Sequence, residues 1–68
     1  MSDHVYKIVE VVGSSKKSIE DAVQNAIVKV SDNEKNIRWF QVVETRGQVE
    51  NGGVAFWQVT VKLGVNTT

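Results

Sequence analysis

The sequence predicts an α+β domain with elements in the order β-α-β-β, whose three-stranded antiparallel sheet, in strand order 1-3-2, is wrapped on one helix. Three observations carry this expectation. Apolar residues at Ile19, Ala22, Val23, Ala26, Ile27 and Val30 step by 3, 1, 3, 1 and 3, which places all of them on one helical stripe. Two long segments rich in β-branched and aromatic residues follow, separated by the hairpin signal Asn51-Gly52-Gly53. A β-branched segment precedes the helix and closes at the turn cluster Gly13-Ser14-Ser15. Residues 1–68 read as one domain.

The first strand is expected over Val5 to Val12, with Ser14 and Ser15 available to cap the helix that follows. Opposite the helical stripe lie Lys17, Glu20, Asp21, Gln24, Asn25 and Lys29, so the helix is apolar on one side only. The polar run Ser31-Asp32-Asn33-Glu34-Lys35-Asn36 ends it. The second strand is expected over Ile37 to Glu50 and the third over Val54 to Val65. If the helix returns the chain so that strands 1 and 2 run the same way, strand 3 is antiparallel to both and fits between them. In strand 3, Trp57, Val59, Val61, Leu63 and Val65 alternate with Phe56, Gln58, Thr60, Lys62 and Gly64. The first set is expected to face the helix, with Trp57 in the core.

A two-residue turn sets a register in which Phe40 and Val42 lie beside Leu63 and Val61. It leaves Trp39, Gln41, Val43 and Thr45 beside Gly64, Lys62, Thr60 and Gln58. A sheet covered by one helix has an open second face, and a tryptophan among small and polar neighbours there calls for a partner subunit or a ligand.

Composition narrows the function classes. Eight Lys plus Arg balance eight Asp plus Glu, so no long-range field draws the chain to nucleic acid or an anionic bilayer. No apolar run exceeds four residues, which excludes a membrane-spanning helix or a signal-peptide apolar region and leads us to expect a cytoplasmic protein. A chain of 68 residues buries only about 60% of its unfolded surface. Small domains of this kind recruit disulfides, metals or oligomerisation. With no Cys and one His, self-association is the expected route and no metal site is expected. There is no nucleophile elbow and no Gly-rich phosphate loop, His4 lies near the terminus, and Glu10, Glu44 and Glu50 form no acid–base pair. A catalytic role is therefore not expected.

Several pieces of the chain, taken jointly, are specific: Val11-Val12-Gly13-Ser14-Ser15 before the helix, Trp39-Phe40, Thr45-Arg46-Gly47, and Trp57-Gln58-Val59-Thr60-Val61-Lys62 with Gly64. Over nearly its whole length the sequence resembles the dodecins, small flavin-binding proteins of the same element order. The resemblance implies a hollow homododecamer of cubic-type symmetry, with pockets on two-fold axes that each hold two stacked flavins. It implies that Trp39 stacks on the isoalloxazine ring and that Gln58 hydrogen-bonds the pyrimidine edge. It places Arg46 at the pocket, against the phosphate of FMN or a ring. Thr45 is expected to line the pocket beside Gln58, and Tyr6 and Lys7 are candidates for rim contacts.

The resemblance thus points to a non-enzymatic protein that stores, buffers or photoprotects flavin, with FMN, riboflavin or lumichrome as ligand. A flavin-dependent redox enzyme and a ligand-free scaffold are the alternative readings. One departure stands out. Many dodecins follow the final glycine with an aromatic and then a charged residue, whereas this chain has Val65-Asn66.

Overall fold

The computed structural model describes residues 3–67 and has the expected topology. Strand β1 (Tyr6–Ser15) leads into helix α1 (Ile19–Ser31), which is followed by the long strands β2 (Ile37–Glu50) and β3 (Gly53–Asn66). The sheet is antiparallel throughout with order β1-β3-β2. Asn51 and Gly52 form the two-residue turn, both at positive φ (52° and 78°), and Glu50 pairs with Gly53 across it. Asn and Gly are the residues that reach this conformation at least steric cost, which fixes the pairing next to the turn, Glu50 with Gly53 and Val49 with Val54. A register shift follows at once, Ala55 of β3 being the extra residue before Gln48 pairs with Phe56.

Gly13, Ser14 and Ser15 are the end of β1, paired with Val59, Gln58 and Trp57, rather than the expected turn after Val12, and the helix begins one turn later than these serines suggest. Its N-cap is Ser18, whose hydroxyl accepts a hydrogen bond from the Asp21 amide at 3.0 Å. Ser15 instead organises the strand-to-helix corner. Its buried Oγ accepts from the Lys17 amide at 2.8 Å and donates to Asp21 Oδ2 at 2.6 Å. Gly13 lets α1 approach β1 closely, because a Cβ there would meet the Ala22 carbonyl oxygen and lie 2.9 Å from the Ala26 Cβ.

Ala22, Val23 and Ala26 of the helical stripe pack on Val59, Val61 and Leu63 of β3 to form the core. Val11, Ile19, Ile27, Val30 and Ile37 pack against its edge. Coverage is incomplete for a geometric reason. A 13-residue helix spans about 20 Å at ~1.5 Å per residue, whereas a 14-residue strand spans about 47 Å at ~3.4 Å per residue. The hairpin therefore overhangs the helix, and the chain measures 55 × 20 × 13 Å. This corrects the expectation for Trp57. It shares the face of Val59 but pairs with Ser15 and Gly47 beyond the helix, so it is half-buried and stands outside the core cluster. The helix packs chiefly on β1 and β3 and leaves the same face of β2 uncovered, with Phe40 52% and Val42 42% exposed.

Candidate functional site

Near the Trp39 end, the β2–β3 pairing follows the turn-derived register, with Trp39 opposite Gly64, Phe40 opposite Leu63, Gln41 opposite Lys62 and Val42 opposite Val61. A β-bulge then inserts Val43, so that Glu44 rather than Val43 pairs with Thr60. From Glu44 to Gln48 the side chains of β2 therefore take the faces opposite to those of the turn-derived register, until the second shift between Gln48 and Val49 restores it. Thr45 pairs with Val59 and Arg46 with Gln58, which corrects the expectation that Thr45 stands beside Gln58. Thr45 takes the helix-side face, and Arg46 joins Gln58 and Trp39 on the open one.

With β1 included, the open face is a series of cross-strand rows. Ile8, Gly64 and Trp39 form one, Glu10, Lys62 and Gln41 the next, then Val12, Thr60 and Glu44, and finally Ser14, Gln58 and Arg46. Tyr6, opposite Asn66, stands at the Trp39 end. Lys7 points to the other face of its own chain, where its Nζ meets Glu34 Oε2 at 3.0 Å. No ion pair among the described residues engages Arg46, so its guanidinium is available to an outside anion.

The indole of Trp39 determines the character of this face. A Cβ built on Gly64 would overlap the ring, and the nearest atoms are Cε2, Cζ2 and Cδ2. Cε2 is bonded to both of the others, and a probe closest to such a fusion carbon must sit above the ring plane. The indole therefore lies with one face down on the bare backbone of β3 and the other face outward, and Trp39 remains 39% exposed. Tyr6 flanks it from β1, with ring centroids 5.9 Å apart and planes tilted by 59°.

A dodecin family model matches residues 5–67. The chain belongs to the dodecin family. It is 38% identical over 60 residues to the dodecin of Thermus thermophilus, covering 88% of this chain and 87% of that protein. The dodecin structure from Streptomyces coelicolor superposes with a TM-score of 0.93 at 44% identity, over 100% of this chain and 97% of that one. The dodecin from Streptomyces davaonensis gives 0.92 at 40% identity, over 98% of each chain. A calcium dodecin from Mycobacterium tuberculosis, described as calcium-chelating with a novel calcium-binding site, gives 0.80 at 25% identity over 94% and 91%. Among the described residues of this dodecin chain, no three His, Asp or Glu side chains gather where they could hold a metal ion.

Within one dodecin chain the predicted site residues share a face but not a point. Gly64, under Trp39, and Gln58, beside Arg46, are six residues apart on β3, which is about 20 Å along the strand. That separation exceeds the length of a three-ring heterocycle. Sequence reading missed Glu44 on the open face and the Tyr6–Trp39 contact. A phase slip was visible for the first: the polar set runs Gln41 and then Glu44, Arg46, Gln48, with Val42-Val43 between.

Two hollows lie along the uncovered helix side of β2, and Trp39 is among the residues that line the larger. One of about 560 Å³ is bordered by Ile27, Lys35, Ile37, Arg38 and Phe40. A smaller apolar one of about 280 Å³ lies between Ile19, Val23, Ile27, Phe40 and Val42. Both arise because α1 does not reach over β2.

Proposed function

We propose that this protein is a non-enzymatic flavin store or buffer of the cytoplasm, a homododecamer that holds FMN, riboflavin or lumichrome stacked on Trp39. The observation that carries the reading is the indole laid flat over Gly64 with its outer face uncovered. A flat, polarisable heterocycle gains about 1–3 kcal/mol on such a face, as a stacked nucleobase does. The seat is rigid because the backbone of the central strand lies beneath it.

When bound, flavin supplies an aromatic ring that absorbs visible light. Trp39 would stack on that ring and, as an electron-rich neighbour in van der Waals contact, would quench its excited state by an electron transfer that the return of the electron to the indole reverses. Gln58 offers a donor and an acceptor side by side, which suits the alternating edge of a pyrimidine ring. Arg46 meets the phosphate of FMN with a charge-assisted pair. Since about 20 Å separates Trp39 from Gln58 and Arg46 in one chain, a second copy must bring its own residues to the ring. Antiparallel approach of two open faces about a two-fold axis supplies them. Stacking from both sides leaves little room for a substrate, which favours storage over redox catalysis.

The test is a titration of the purified protein with FMN, read by flavin fluorescence, together with its native mass. Strong quenching at saturation and a particle of about 91 kDa, twelve copies of 7.6 kDa, are expected. Unquenched flavin at high protein concentration refutes the ligand, and a monomer or dimer at micromolar concentration refutes the assembly.

A further inference from the structure

We propose that Tyr6 is a positioning residue for Trp39, the wedge that holds the indole flat on Gly64 and keeps its outer face presented to a stacked ring. The proposal deepens the flavin reading and rests on it for the identity of the ligand. Trp39 stands on β2 and Tyr6 on β1, at opposite edges of the sheet, with the central strand between them. Such residues ordinarily do not touch, because a side chain on the middle strand separates them. Here the middle position opposite Trp39 is Gly64, and the indole crosses it to reach Tyr6.

The geometry of that contact limits the indole. The rings are tilted by 59°, between stacked and edge-to-face, and their 5.9 Å centroid separation lies within the distance at which aromatic pairs attract. Gly64 blocks one face of the indole and Tyr6 stands at its far side. Lifting or swinging the indole off the backbone means giving up both contacts. The backbone of Tyr6 is itself held, although the residue is 39% exposed. Its backbone pairs with Asn66, which donates its amide to the Asn36 carbonyl at 2.9 Å. Asn36, in turn, starts the segment that delivers Trp39. Thus the two ends of the contact are tied to one another through the backbone, and the rings meet over the gap left by glycine. The contact uses the ring of Tyr6. No hydrogen bond of its hydroxyl is required.

The experiment compares Tyr6→Ala and Tyr6→Phe in a Trp57→Phe background, where Trp39 is the single tryptophan. Two quantities are read: the time-resolved fluorescence anisotropy of Trp39 without ligand, and the FMN dissociation constant. Tyr6→Ala is expected to add fast local motion to the indole and to weaken FMN roughly two- to tenfold, the range of one aromatic pair. Native mass should be unchanged, and Tyr6→Phe should restore both quantities. If the anisotropy of Tyr6→Ala equals that of the parent, Tyr6 does not position the indole and the proposal is overturned, whatever happens to affinity. A Tyr6→Phe variant as impaired as Tyr6→Ala overturns it as well, since the hydroxyl would then be the active part. Should the parent bind no FMN, the flavin reading fails while the anisotropy still decides the role of Tyr6.

Discussion

Replacing Gly64 by alanine tests the seat of the indole directly. Gly64 lies outside the left-handed region, since Gly52 is the one glycine at positive φ among the described residues, so alanine meets no backbone strain there. The three atoms nearest its new methyl all belong to Trp39, at distances no folded structure tolerates. The central strand cannot retreat, being paired on both sides, so the indole must lift or rotate away. Overpacking of this kind costs about 1–3 kcal/mol. Against it stands a gain of about 0.4–1 kcal/mol from the stiffer unfolded chain. The net loss should be about 0–2.6 kcal/mol per chain, and FMN affinity should fall at least about tenfold because the stacking face is no longer held. In a Trp39→Ala background the methyl meets no indole, and the same Gly64→Ala change should be neutral or slightly stabilising. The assay is a double-mutant cycle in urea at one fixed protein concentration, with FMN titration of each variant. Equal cost of Gly64→Ala with and without the Trp39 ring would refute the reasoning.

Trp39→Ala should abolish most FMN binding while leaving native mass unchanged, whereas Leu63→Ala, fully buried under the helix, should cost about 2–5 kcal/mol in chemical denaturation. Arg46→Ala should weaken FMN more than riboflavin, and added salt should narrow the parent's preference between them by screening; equal losses for both ligands would assign the arginine to stacking. Gln58→Ala should weaken FMN and riboflavin by similar factors, each lost hydrogen bond being worth about 0.5–1.5 kcal/mol by calorimetric titration. Ser15→Ala should destabilise by about 1–3 kcal/mol in thermal or urea unfolding, because the amide of Lys17 and the carboxylate of Asp21 lose their shared partner.

The elements that local chemistry dictates were legible in the sequence. The stripe from Ile19 to Val30 has one solution as a helix, and Asn51-Gly52 has one as a hairpin turn; from these the strand order follows, while the register at Phe40 and Val42 agrees with the turn-derived one because the shifts at Ala55 and Val43 offset each other. What escaped was set at longer range. The Val43 bulge shows in the sequence only as the phase slip between Gln41 and Glu44, which propensity cannot assign to one residue since Val42 and Val43 are both good strand formers, and its effect is to reverse the faces of Thr45 and Arg46. Trp57 was misjudged because alternation reports which face a residue takes and not whether anything covers that face. Only the mismatch between a ~20 Å helix and a far longer hairpin reveals the overhang. The seat of Trp39 was half visible: Gly64 could be placed opposite it, but the indole's lying flat and reaching Tyr6 depends on side-chain packing across all three strands.

The same overhang explains why this chain suits assembly. A compact monomer of 7.6 kDa exposes about 4,300 Å² and a 68-residue domain has a radius of gyration near 11 Å. This chain exposes 4877 Å² with a radius of 14.0 Å. The excess of roughly 600 Å² approaches the ~800 Å² per partner of a standard interface, and the exposed side chains that contribute to it lie on two different surfaces. Phe40 and Val42 look out on the helix side of β2, while Ile8, Val12 and Trp39 look out on the open face. One two-fold contact covers only one of these. Two apolar surfaces in fixed relation allow two kinds of rotational contact, which close into a shell where their axes meet and propagate as a filament where they do not; the homododecamer proposed above takes the first course. The flavin site proposed above would then need no fold of its own: it would be the part of the open face that subunit contact leaves unfilled, over the one row where a glycine lets a tryptophan lie flat.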